Sequence, residues 1–199
     1  MTTAIVYYSK HHGNTKKLLD AIAAADPSVV LIDVTAHPTA DLSGYDRIGF
    51  ASGIYYSSFA KQVISFAEEQ LPEGKDVFIF DDMISSGGSM IDTAKQLKKM
   101  NARRVFVCCT FGIFTDGLEA FDDAYKEGYF DRIITTNLTY ARPELLARPY
   151  YLQADMSKFL ASIIDFSNHD VSMEMVQTPT EKIKKVLAYY NSIDGTVAD

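Results

Sequence analysis

A chain of 199 residues, 47% hydrophobic and 23% charged, is long enough to bury a full core and is most simply one soluble globular domain. Its net charge of −7 and pI near 5.1, with no basic stripe to offset them, argue against nucleic acid or an acidic membrane as partner. The only two cysteines, Cys108 and Cys109, are adjacent within an apolar run, which excludes a disulfide framework and suits a buried, reduced pair in a cytoplasmic protein.

In chain order, residues 3–8 (TAIVYY) are a short apolar run of β type, followed by the polar SKHHGNT of residues 9–15 and by helical periodicity over 17–25. This start becomes a strand and lacks the basic head and cleavage site of a signal peptide. No apolar stretch approaches the ~18 residues of a membrane span, so the expected location is the cytoplasm. Gly, Asn and Thr directly before a helix make a candidate phosphate cradle, because side chains and helix-end N–H groups converge on one anion. An ordinary turn capped by Asn or Thr has the same residues. Residues 29–34 and 46–52 (DRIGFAS) are further strands, joined by a surface connection at 37–46 that contains Pro and Gly. Such near-continuous apolar runs fit a parallel sheet covered on both faces. After Gly53, Tyr55 and Tyr56 stand at the C-terminal edge of a strand, suited to packing on a flat ring. Residues 59–70 read as a helix with Val63, Phe66 and Ala67 inward.

Residues 77–94 (VFIFDDMISSGGSMIDTA) hold the densest chemistry: an apolar strand over 77–80, the acid pair Asp81 and Asp82, a loop of small residues, and a helix start. Ser85, Ser86, Gly87, Gly88 and Ser89 offer unshielded N–H groups and three hydroxyls where the next helix presents its positive end, the chemistry of an anion site. No Lys follows the glycines, so this is not a Walker A loop. Two carboxylates beside such a loop suit a ligand whose phosphate enters the loop while its hydroxyls donate to the acids, as in a sugar phosphate. A capped βα connection with two solvated acids is the plainer alternative. The alternation continues with a helix at 89–100, a strand at 103–110 (RRVFVCCT), a loop at 111–117, a helix at 118–127, strands at 132–138 and 150–154, and an amphipathic layer helix at 156–166. Thr178 caps a last helix with Pro179 in its first turn and Glu181 three residues on; residues 192–199 form a frayed tail. The four histidines (11, 12, 37, 169) lack zinc-site spacing, and no serine lies in a nucleophile elbow, so no metal site and no catalytic residue is assigned.

VFIFDDMISSGGS resembles the phosphoribosyl-diphosphate signature of type I phosphoribosyltransferases and ribose-phosphate diphosphokinases. That resemblance implies Asp81 and Asp82 on the ribose hydroxyls and Ser85, Ser86, Gly87, Gly88 and Ser89 on the 5-phosphate, with Mg²⁺ only if the ribose-phosphate site works. It extends over residues 77–191, including CCTFGIFTDG and RIITTNL. Residues 1–80 resemble flavodoxins in strand order, in YYSKHHGNTKK and in FASGIYYSSFAK. This second resemblance implies FMN as cofactor, with Ser9, His11, His12, Gly13, Asn14 and Thr15 around its phosphate and Ser52, Gly53, Ile54, Tyr55 and Tyr56 beside the isoalloxazine. His11 and His12 replace hydroxyl residues common in that family.

Together the resemblances imply an engineered chimera: two half-domains in one domain of 199 residues, joined at the strand over 77–80. The expected architecture is α/β, a single doubly wound parallel sheet in the flavodoxin-like order 2-1-3-4-5, extended by two phosphoribosyltransferase-like strands. Nothing before residue 77 resembles the ATP contacts, pyrophosphate loop or mobile basic loop of a diphosphokinase. The third FMN loop is also replaced, by DDMISSGGS. The expectation is therefore a scaffold with residual FMN or phosphate binding and no complete catalytic site, whose partner is a small phosphorylated ligand; whether it is an enzyme leans towards no, and oligomeric state stays open. Ribose 5-phosphate binding with diphosphokinase function, and a fold without a ligand, are the alternatives.

Overall fold

The computed structural model describes residues 1–10, 13–55 and 58–169, together with residues 185, 188 and 189. Its strands are Thr3–Tyr8 (β1), Val29–Asp33 (β2), Arg47–Ser52 (β3), Ile54–Tyr55 (β4), Ser58–Phe59 (β5), Asp76–Ile84 (β6), Arg104–Gly112 (β7), Arg132–Thr136 (β8) and Tyr151–Ala154 (β9). Its helices are Asn14–Ala25 (α1), Lys61–Gln70 (α2), Gly88–Lys99 (α3), Glu119–Lys126 (α4), Pro143–Leu146 (α5) and Ser157–Asn168 (α6). Seven strands form one sheet in the order β2-β1-β3-β6-β7-β8-β9, every neighbouring pair parallel. The expected doubly wound order and its two-strand extension are both present. β4 and β5 make a small antiparallel pair of their own.

The larger core lies on one face. Val63 and Phe66 of α2, Met90, Ala94 and Leu97 of α3, and Phe121 and Ala124 of α4 pack on Phe50, Val77, Ile79, Val105, Val107 and Ile133. On the other face α1 seats Leu19 on Ile5, Tyr7 and Ala51, with Phe80 partly buried beside them. α1 and α3 therefore cover opposite faces, as the reversal of winding direction at β1 requires.

Several boundaries depart from those read in the sequence. β6 does not stop at residue 80 but runs to Ile84, because β7 also continues and pairs Met83 with Phe111 and Ile84 with Gly112. Asp81 and Asp82 are thus strand residues, and the first two residues of the expected loop at 111–117, Phe111 and Gly112, belong to β7. The layer helix expected at 156–166 forms as α6, but none of its residues is buried. α5, a single turn opened by Pro143, was not anticipated. The helix expected from Thr178 and the tail at 192–199 lie outside the described residues, apart from Lys185, Ala188 and Tyr189.

Candidate functional site at the C-terminal rim

In open parallel sheets, loops leaving the C-terminal strand ends at a switch in winding direction form the natural ligand crevice. Here the switch lies between β1 and β3, and both candidate cradles open on that rim. After β1 the chain reaches Gly13, whose φ of +67° is the left-handed conformation glycine adopts without strain. Gly13 O accepts the first helical hydrogen bond of α1, from Lys17 N–H at 2.9 Å. The N–H groups of Asn14 and Thr15 precede that bond, and the first-turn donors of a helix have no partner within it. Ser9 Oγ accepts from Lys16 N–H at 3.4 Å. Among the described residues nothing lies within 4 Å of where a Cβ would stand at Gly13. The free first-turn N–H groups of α1 and the Ser9 hydroxyl beside them are donors of the kind a phosphate-bearing cofactor such as FMN requires. His11, His12 and Tyr56 lie outside the described residues; Asn14, Ile54 and Tyr55 have placed backbones only.

Ser52 differs from its expected role. It is 2% exposed, donates to Gly53 O at 2.6 Å and accepts from Ala60 N–H at 3.1 Å. Its hydroxyl ties the two ends of the β4–β5 hairpin together and does not face a ligand. Gly53 and the hairpin rise at the rim one strand away from Gly13.

The second cradle follows β6. Gly87 has φ +88°, and a Cβ there would overlap the Phe121 ring, so both backbone and packing demand glycine. Gly87 O takes the first α3 hydrogen bond from Ile91 N–H at 2.9 Å. Ser85 O accepts from Thr115 N–H at 3.0 Å, tying this loop to the one after β7. Ser85, Ser86 and Gly88 are exposed and Ser89 half-buried.

The acid pair is split by strand alternation, since successive side chains in a strand point to opposite faces. Asp81 is 6% exposed and lies on the face of Val77 and Ile79, beside its register partner Cys109. Asp82 is exposed on the other face. Asp81 Oδ1 accepts from Asp82 N–H at 2.8 Å, while Oδ2 is buried without a partner. Burial first, then a side-chain hydrogen bond with Asp82 and the charge of that residue, push the Asp81 carboxyl up to about 7, against the lowering effect of the Asp82 N–H. The two acids do not converge as a clamp. Asp82 is exposed, Asp81 lines a cavity of about 170 Å³ with Phe80, Cys108 and Cys109, and among the described residues no group of three or more His, Cys, Asp or Glu is placed to hold a metal.

The rim also has an apolar component that the sequence did not disclose. The extra turn of ladder in β6 and β7 lifts Met83, Phe111 and Ile113 into solvent at 45%, 39% and 45% exposure. Their only signal was an apolar residue on each side of the small-residue loops.

Among the described residues no helix is long and apolar enough to cross a membrane. A family model described as "Flavodoxin domain" matches residues 5–122, more than half of the chain, and extends past residue 80 through β7. Ribose-phosphate pyrophosphokinases match shorter stretches. The enzyme from Pyrococcus furiosus is 44% identical over 82 residues, 38% of this chain and 29% of that enzyme. The one from Pyrococcus abyssi is 35% identical over 100 residues, 47% of this chain and 35% of that enzyme. The chain thus spans about a third of the length of these curated relatives. A solved archaeal flavodoxin aligns with 65% of this chain and 94% of its own, at 19% identity and a TM-score of 0.41.

Proposed function

The chain belongs to the flavodoxin domain family, and from that premise we propose that it is an FMN-binding hybrid, engineered by joining a flavodoxin half to a phosphoribosyltransferase-like half at β6. The observation that carries this reading is the left-handed Gly13 opening α1 beside the β4–β5 hairpin. A phosphate on the first turn of α1 leaves a flat ring to run along the rim towards Gly53 and Tyr55. Residues 9–15 then hold the phosphate, and the hairpin with Tyr55 and Tyr56 flanks the ring. Burial pushes the Asp81 carboxyl up to about 7, so the exposed Asp82 carries the larger share of the charge near the ring. One exposed carboxylate there disfavours anionic reduced flavin and lowers its reduction potential.

The test is a titration of the purified protein with FMN and with riboflavin, followed by visible absorbance and fluorescence. FMN should bind at least about tenfold more tightly, because only it carries the phosphate that the α1 cradle holds. Equal affinity for riboflavin, or no flavin bound at all, defeats the reading.

A second reading rests on Gly87. Its conformation and its seat on Phe121 build a second cradle at Ser85, Ser86, Gly88 and Ser89, in keeping with the pyrophosphokinase likeness. It supports ribose 5-phosphate binding as the first requirement of a diphosphokinase-type function, in which positioning of the phosphoryl groups carries the transfer. Thermal stabilisation by ribose 5-phosphate with Mg²⁺ checks it. No response to either ligand leaves a fold without a ligand.

A further inference from the structure

The end of the sheet where the strands begin holds a cavity of different chemistry from the rim. Register sets three charged residues side by side across β3, β6 and β7, since Arg47 is the partner of Asp76 and Asp76 of Arg104. Two residues further along, and so on the same face, stand Phe78 and Phe106, both half-buried. Their rings stack with centroids 4.8 Å apart and planes 18° from parallel. A cavity of about 490 Å³ is lined by these two rows together with Arg103, Asp46 and Met1. That volume falls within the ~300–1,000 Å³ of small-molecule sites.

Three arginines meet two aspartates in this lining, a local positive excess in a chain of net charge −7. Asp76 holds two of them. Arg103 donates to it through Nε and Nη2 at 2.9 and 2.8 Å, and Arg104 at 3.1 and 2.7 Å. A guanidinium has more N–H donors than one carboxylate can accept, so both arginines keep donors for a second anion, and their side chains are 62% and 52% exposed. Their forks are fixed in advance, which lowers the ordering cost of binding. Arg47 has no such counter-charge: among the described residues its side chain donates only to Met1 Sδ, at 3.0 Å, and a thioether is a weak acceptor. Asp46 does not supply one, because its Oδ2 accepts from Thr2 N–H at 2.7 Å. The Arg104 guanidinium carbon lies 5.5 Å from the Phe106 ring centre, so charge and aromatic surface adjoin.

We propose that this cavity binds a small aromatic anion, whose carboxylate or phosphate head bridges Arg47 to the Arg103 and Arg104 pair while its ring lies along Phe78 and Phe106. Arg47 and Arg104 leave strands two spacings apart, about 9.6 Å, a gap that two long side chains and one anionic head close. Guanidinium groups take either head through paired hydrogen bonds. The site does not depend on the flavin reading, because the run of β6 from Asp76 to Asp82 carries the chain about 20 Å, to the opposite end of the sheet.

Calorimetric titration of the full chain with 2-naphthoate and 2-naphthyl phosphate tests this. At least one should bind with a dissociation constant of about 1 mM or below, and the tighter of the two identifies the head group. Neutral 2-naphthamide, which keeps the ring, and inorganic phosphate, which lacks it, should each bind about tenfold or more weakly. Arg47→Gln removes the charge of an exposed side chain and should weaken the aromatic anion about tenfold. Equal affinity for 2-naphthamide or for inorganic phosphate, an unchanged constant in Arg47→Gln, or no binding of either aromatic anion overturns the proposal. Should Arg47→Gln fail to fold, backbone amide shifts of the unsubstituted chain decide. Ligand-dependent shifts centred on residues 46–49, 76–78 and 103–106 support the site, and shifts confined to residues 9–15 or 85–89 overturn it.

Discussion

Between about pH 4 and pH 7 the Asp81 carboxyl holds its proton more tightly in the folded chain than in the unfolded one, because burial moves it from its ordinary 3.8 to about 7. The folded state then binds more protons than the unfolded state, so stability falls as pH rises through this window, and the loss is complete above about 7. A displacement of that size bounds the effect at roughly 4 kcal/mol, reduced in practice by local relaxation. Asp81→Asn keeps an acceptor for Asp82 N–H and removes the charge. It should stabilise the protein by roughly 1–3 kcal/mol at pH 8 and flatten the slope between pH 4 and 7 in urea titrations, since an unpaired neutral group costs less to bury than an unpaired charge. The two loop glycines separate just as sharply. Gly87→Ala forces a Cβ into Phe121 at a positive φ and should cost about 3 kcal/mol or more, whereas Gly88→Ala, with nothing within 4 Å, should stay within about 0.5 kcal/mol. Chemical denaturation of the pair checks both, and equal losses would contradict the packing described for this loop.

β6 shows at the scale of one element what a sequence discloses. Its apolar run announces a buried central strand, and its place beside β3 follows from parallel winding alone. Its end was misread because two adjacent acids look like the solvated end of a strand. The ladder to β7 carries the backbone through them to Ile84, and only that pairing reveals that one acid is buried and the other exposed. The glycine turns that open α1 and α3 were legible for a related reason, since Gly13 and Gly87 take conformations that glycine adopts locally. The exposure of α6 was not legible, because an amphipathic stripe records that a helix has an apolar side and not whether a partner meets it. The opposite end of β6 carries a sharper constraint. Asp76 is 6% exposed and accepts from Arg103 Nε and Nη2 at 2.9 and 2.8 Å and from Arg104 Nε and Nη2 at 3.1 and 2.7 Å. Hydrogen bonds from Arg104, opposed by burial and joined by those from Arg103, hold its carboxyl far below the usual range. Asp76→Ala should lower stability by about 2 kcal/mol, less than for a fully buried pair because both arginines are more than half exposed. The loss should persist from pH 8 to pH 4, because a carboxylate held this low stays ionised throughout.

Across the whole molecule the two cradles share a rim but not a face. Strands β1 and β6 flank β3, which separates their ends by about 10 Å along the sheet. α1 lies on one side and α3 on the other, and each layer adds roughly 10 Å across it. The two helix starts are therefore about 20 Å apart, beyond the ~8 Å Debye length of physiological salt, so a phosphate in one cradle is screened from a phosphate in the other. A ring lying from Gly13 towards Tyr55 occupies the rim above β3 without entering the loop at residues 85–89. Saturating ribose 5-phosphate should therefore change the FMN dissociation constant less than about twofold, a coupling below ~0.4 kcal/mol. The converse titration must agree, because coupling between two equilibrium sites is reciprocal. Competition that raises the FMN constant in proportion to ribose 5-phosphate would mean that both phosphates use one cradle. Gly87→Ala cannot separate those cases if it unfolds the chain. Ser86→Glu can, since it places a carboxylate at an exposed position of the second loop: it should weaken ribose 5-phosphate about tenfold or more and leave FMN unchanged if the sites are distinct, and weaken both if they are one.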